Sequence, residues 1–107
     1  GGLVAAADWM RDHPGPITVA VQVPKEENNA KFNFDGRVVS VPDVGLSSSI
    51  KDLKERLQEL LGGLPANKMK LSHVRHGVLK DQPSLAFYNF ADGEAVAVST
   101  KERGGRR

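Results

Sequence analysis

Cysteine is absent from the 107-residue chain. With no thiol there is no disulfide framework, no thiol nucleophile and no cysteine-ligated zinc site. No apolar run approaches the ~18 residues a membrane-spanning helix needs, so no transmembrane segment is expected. A Gly-x-Ser-x-Gly nucleophile elbow, a phosphate-binding glycine loop and a cluster of metal ligands are also missing. No enzyme, no cofactor and no metal are expected. Asp35-Gly36 and Asp92-Gly93 read as turns rather than as a catalytic carboxylate pair. No internal repeat is present.

What remains is enough for one domain. A chain of this length buries roughly 60–65% of its unfolded surface, and the 39% hydrophobic fraction suits one modest core. The net charge of +2 hides an asymmetry. Residues 1–66 carry 7 basic and 9 acidic side chains, whereas residues 67–107 carry 8 basic and 4 acidic ones. A basic second half suggests a polyanionic partner, set against the plain alternative of a solvated charge bias.

Residues 1–16 read as a flexible lead-in, with a short helix over Leu3 to Arg11 and a stop at His13-Pro14-Gly15-Pro16. Trp9 and Met10 are its only apolar anchors for docking; fraying is the other reading. Ile17 to Val23 alternates β-branched and small or polar residues, the pattern of a half-buried strand ended by Pro24. Lys25 to Ala30 is a polar loop, and Phe32 and Phe34 alternate in an extended stretch. Arg37 to Val44 is a second strand, which Pro42 confines to an edge or a bulge. Ser47-Ser48-Ser49 supplies caps for a helix whose stripe is Ile50, Leu53, Leu57, Leu60 and Leu61. Asp52 and Arg56 stand in the favourable i,i+4 order, and Gly62-Gly63 and Pro65 end the helix. Lys68 to Val74 alternates again, with Met69 and Leu71 inward and Lys68, Lys70 and Ser72 outward. Val78-Leu79 is a short apolar piece, Ser84 to Phe90 one helical turn, and Ala95 to Thr100 a last strand. The tail from Lys101 to Arg107 holds no core residue and is expected to be flexible. The order predicts an α+β domain, a mixed sheet packed on one main helix.

Three motifs carry a resemblance. They are Ile50-x-x-Leu53-x-x-x-Leu57 followed by Leu64-Pro65 and Lys70-Leu71; Leu79-Lys80-Asp81 leading to Ser84-Leu85-x-x-Tyr88-Asn89-Phe90; and a last strand running into Arg103-Gly104-Gly105. Together they resemble the ubiquitin-like β-grasp fold over residues 17–105. Pro14-Gly15-Pro16-Ile17, Leu64-Pro65-Ala66-Asn67-Lys68-x-Lys70-Leu71 and the ending Lys101-Glu102-Arg103-Gly104-Gly105-Arg106-Arg107 narrow it. They are similar to the carboxy-terminal ubiquitin-like domain of splicing factor 3a subunit 1, a U2 snRNP family. The Ser72–Gly77 turn and the helix exit are each about one residue longer than in that family. The resemblance implies a domain over 17–101 with a basic tail over 102–107, a nuclear location, splicing partners bound through the rest of a parent chain, and a U1 snRNA stem-loop as ligand.

Ubiquitin binds partners through an apolar patch on its open sheet face. The matching positions here are Lys70, Ser72, Ala97 and Ser99, none a large aliphatic. Burying them would desolvate polar groups for little apolar gain, so standard ubiquitin readers are not expected partners. Instead Lys68, Lys70 and Lys101 are expected on one face, with Lys80 and Arg75 in nearby loops. Arg103, Gly104, Gly105, Arg106 and Arg107 form an RGG-type extension suited to RNA. Phe87 is a candidate base-stacking ring, with a core role as its alternative; the resemblance gives the packing role to Tyr88. His73 and His76 read as plain loop residues. The candidate RNA-binding residues are therefore Lys68, Lys70, Lys80, Phe87, Lys101 and the tail 103–107 of a monomeric domain. Two alternatives stay open: a domain that meets an acidic protein, and a conjugable modifier formed by trimming to Gly105.

Overall fold

The computed structural model describes residues 3–26 and 34–101. The expectations for Phe32 and for Arg103, Gly104, Gly105, Arg106 and Arg107 lie outside the described residues. The elements are α1 (Ala6–Asp12), β1 (Ile17–Gln22), β2 (Val38–Val44), α2 (Ile50–Leu60), a 3-10 turn (Ala66–Lys68), β3 (Met69–His73), β4 (Gly77–Val78) and β5 (Ala95–Thr100). The five strands form one mixed sheet in the order β2-β1-β5-β3-β4. β1 and β5 are parallel at its centre; the other pairs are antiparallel.

One sheet face packs on α2. Ile17, Val19 and Val21 of β1, Met69 and Leu71 of β3, and Val96 and Val98 of β5 are buried with Ile50, Leu53 and Leu57 of α2. The period-two pattern of the strands meets the helical stripe there, which is why these residues exclude water together. Pro42 satisfies both sequence expectations, since β2 is an edge strand and carries a bulge. Ile17 pairs with Val44 and Val19 with Val41, so Pro42 and Asp43 oppose Thr18 alone. The proline has no N–H to lose at that point.

Ser49 caps α2 in a reciprocal box with Asp52: the Asp52 amide donates to Ser49 Oγ at 3.0 Å and the Ser49 amide to Asp52 Oδ2 at 3.1 Å. The expected Asp52–Arg56 pair is not formed among the described residues. Asp52 is occupied by the cap, and Arg56 donates to the Asp43 carbonyl at 3.1 Å. At the exit, Gly62 and Gly63 have φ of 67° and 89°, and the Gly63 amide donates to the Gln58 carbonyl. A residue with a Cβ would be strained in that turn. Two stripe positions differ from expectation: Leu60 is exposed, and Lys54 is buried in its stead.

Residues 84–90 form a run of turns rather than a helix. Within it the Tyr88 and Phe90 amides donate to the Leu85 carbonyl and the Asn89 amide to the Ala86 carbonyl, while the Leu85 and Ala86 amides reach out to the Ser48 and Leu46 carbonyls. The lead-in expected to be flexible is tied to this run at three points. The Val4 amide donates to Asn89 Oδ1 at 2.7 Å, Asn89 Nδ2 donates to the Val4 carbonyl at 2.9 Å, and the Trp9 indole donates to the Phe90 carbonyl at 2.8 Å. Trp9 packs on the core while Met10 stays exposed. Asn89 also bonds the Ala86 carbonyl and sits at φ 55°, a region asparagine tolerates better than alanine. Asn89→Ala should therefore lower stability by about 1–2 kcal/mol and release α1. Urea denaturation followed by Trp9 fluorescence checks both.

Candidate nucleic-acid interface

The other sheet face is open. In the β3–β5 register Lys70 pairs with Ser99 and Ser72 with Ala97, so all four patch positions sit side by side as expected. The Lys101 amide donates to the Lys68 carbonyl at 2.8 Å, which places these two lysines at one end of the same pair of strands. Lys68 closes the 3-10 turn rather than belonging to β3.

Beside this face runs an open groove of about 810 Å³. Lys70, Lys80, Lys101 and Lys54 line it together with Val78, Leu79, Asp81 and Gln82. Strand pairing delivers Lys70 and Lys101; Lys80 follows β4, its amide donating to the Tyr88 hydroxyl at 3.0 Å. Among the described residues, none of Lys68, Lys70, Lys80 and Lys101 forms an ion pair. No described carboxylate within ion-pair distance compensates their charge.

Lys54 differs. It is 2% exposed, and its ammonium donates to Asp81 Oδ1. That hydrogen bond holds the Asp81 carboxyl below the usual carboxylate value, outweighing its partial burial, with help from the charges of Lys54, Lys101 and Lys51. Sequence reasoning missed both residues. The signal was present: Lys54 lies i+4 from Ile50 and i−3 from Leu57, on the apolar stripe, where a charge demands a partner.

Phe87 does not line the groove. It is 50% exposed and meets the edge of Tyr88 at 5.2 Å, while Tyr88 is 8% exposed and holds Lys80 through its hydroxyl. Arg75, Glu94, His73 and His76 form a separate cluster. Arg75 pairs with Glu94 Oε2 at 2.8 Å, so its charge is compensated and it does not join the groove. His73 is buried: its Nδ1 accepts the Arg75 amide and its Nε2 donates to Glu94 Oε2 at 2.7 Å. The rings of His73 and His76 stack at 4.6 Å, and His76 bonds the Tyr88 carbonyl. Plain loop histidines they are not. The His73 ring lies against Phe90 at 5.3 Å and the His76 ring against Tyr88 at 5.2 Å. No group of three His, Cys, Asp or Glu side chains is placed to hold a metal among the described residues.

Burial pushes the Glu94 carboxyl up, but bonds from the Ala91 amide, His73 and Arg75 outweigh it and the net shift is downward. Asp81 shifts the same way. A lowered folded pKa contributes stability that is complete above the unfolded value and lost as pH falls through the folded one. The urea midpoint should thus hold at mildly acidic pH and drop once the pH passes below the ordinary carboxylate range. Lys54→Met/Asp81→Asn, which removes the pair together, should flatten part of that drop relative to the wild type.

A five-stranded mixed sheet with a central parallel pair, wrapped on one capped helix, defines a ubiquitin-like β-grasp domain. The ubiquitin-like domain of Plasmodium falciparum Dsk2 shares this fold, with a TM-score of 0.64 at 22% identity over 80% of this chain and 99% of that one. The solution structure of a ubiquitin-like domain in a splicing factor superposes with a TM-score of 0.75 at 38% identity, over 97% of this chain and 86% of that one. Probable splicing factor 3A subunit 1 of Arabidopsis thaliana is 39% identical over 105 residues, and splicing factor 3A subunit 1 of Homo sapiens 34% over 106. No protein-family model matches the chain. The chain belongs to the family of splicing factor 3A subunit 1 ubiquitin-like domains. It covers 12–13% of the length of these curated relatives.

Proposed function

We propose that the domain binds a folded RNA hairpin in a splicing assembly, its lysine groove tracking the phosphate backbone. The observation that carries this reading is the groove itself, where Lys70, Lys80 and Lys101 converge without ion-pair partners among the described residues. Lysines recognise phosphate as point charges, and this convergence matches a polyanion. Lys68 extends the track at one end. Phe87 offers half of its ring to an unstacked loop base. The unit that binds is residues 17–101, and the tail residues Arg103, Gly104, Gly105, Arg106 and Arg107 add charge beyond Lys101. The family points to a stem-loop of U1 snRNA as the ligand, to a nuclear setting, and to other splicing proteins as partners of the parent chain. The domain acts as a monomer.

The test is a titration of a labelled RNA stem-loop at several salt concentrations. If four cations neutralise phosphates, affinity falls roughly hundredfold between ~50 and ~200 mM salt. Deleting residues 103–107 should remove most of the binding. Equal affinity for the truncated domain overturns the role of the tail. A salt-insensitive complex, or one that excess unrelated RNA does not displace, points to an acidic protein surface as the partner instead.

A further inference from the structure

Every free cation of the groove is a donor only, so lysines alone would hold any polyanion equally well. Among its charged residues only Asp81 accepts. Its side chain is 41% exposed, open to water as well as to Lys54. Oδ1 takes the Lys54 ammonium, and Oδ2 receives no hydrogen bond among the described residues. The side chain cannot swing away, because Lys54 holds it. Its backbone is fixed as well, since the Asp81 carbonyl accepts the Lys51 amide at 3.0 Å. The result is a pre-set acceptor at the wall of a donor-lined channel. A bare phosphate oxygen is repelled there, and a nucleotide group bearing a proton is welcomed.

We infer that Asp81 is a specificity-determining residue that selects nucleic-acid segments presenting an N–H or O–H donor to the groove: a ribose 2′-hydroxyl or a base amino group. The inference rests on the RNA-binding reading and deepens it. Lys70, Lys80 and Lys101 supply affinity, and Asp81 supplies discrimination. Gln82, next along the wall, can add a second acceptor or donor to the same base edge.

Removing Asp81 alone would leave Lys54 buried and unpaired, so the wild-type domain, whose Lys54 holds the acceptor in place, is compared with Lys54→Met/Asp81→Ala, which removes the pair together. Each protein is titrated with three probes: an RNA hairpin whose loop bases carry amino groups, the same hairpin in all-2′-deoxy form, and the RNA hairpin with an all-uridine loop. The wild type should prefer the first probe over at least one of the others by about tenfold, the size of a hydrogen bond to a charged acceptor. In the double variant that preference should shrink toward unity, because the first probe loses its hydrogen bond while a probe without the donor loses only the repulsion of the carboxylate. Loss of the preference against the deoxy hairpin identifies the 2′-hydroxyl; loss against the uridine loop identifies the base amino group. Identical ratios in the two proteins overturn the inference and leave RNA binding intact. Failure of the wild-type domain to bind any of the three probes overturns the RNA reading together with it.

Discussion

Asp81→Ala, with Lys54 retained, should destabilise the domain by about 3 kcal/mol, the low end of the cost of stranding a buried charge. Lys54 is enclosed on the apolar stripe of α2, and among the described residues Asp81 is its one ion-pair partner. Without the carboxylate, the ammonium must be deprotonated or dragged to water past Leu53 and Leu57. The low end applies because Asp81 is itself open to solvent, so water can reach part of the vacated space. Lys54→Met/Asp81→Ala removes both charges and replaces the pair with apolar volume, which is often neutral or better for stability. The contrast between the single and double variants is the informative result. Urea midpoints measured at neutral pH give it directly. Equal stability of all three proteins would mean that Lys54 finds water without Asp81.

Reversing two groove charges should have the second large effect. Lys70→Glu/Lys101→Glu should weaken RNA hairpin binding by more than about a hundredfold near ~150 mM salt, since two phosphate contacts are lost and two repulsions added. The fold should lose little beyond the small support that the Lys101 charge lends to Asp81. Lys70 and Lys101 point away from the core, and neither forms an ion pair among the described residues. Lys25→Glu changes charge outside the groove, where β1 gives way to its loop, and should shift affinity only a few fold. Fluorescence anisotropy with one labelled stem-loop compares the three. An equal loss for Lys25→Glu would reduce the groove to a diffuse field effect.

The architecture was legible because it is written in short-range patterns. The alternation of Ile17, Val19 and Val21, the stripe of Ile50, Leu53 and Leu57, and the turns at Gly62-Gly63 and Asp92-Gly93 each imply one local geometry. The outward set Lys70, Ser72, Ala97 and Ser99 followed from the same alternation once the strands were adjacent. What was not legible depends on contacts distant in sequence. Trp9 reaches Phe90 and Val4 reaches Asn89 across more than 80 residues, and nothing near Trp9 specifies that partner. His73 and His76 gained Glu94 and the Tyr88 carbonyl as neighbours in the same way. Arg75 counts as a free cation in the sequence until Glu94 is folded against it. Lys54 was hidden for a different reason. A lysine in a helix reads as solvated, and only its place on the stripe betrays that it is enclosed.

Amide chemical-shift titration of the isotope-labelled domain with a short RNA stem-loop shows directly whether the lysine groove holds RNA. Shifts should concentrate at Lys70 to Ser72, Lys80 to Gln82 and Ala97 to Lys101, with smaller ones at Phe87, all reversed by added salt. Shifts centred on the outer face of α2, at Asp52, Glu55 and Glu59, or no shifts at equimolar RNA, would contradict RNA binding in the groove.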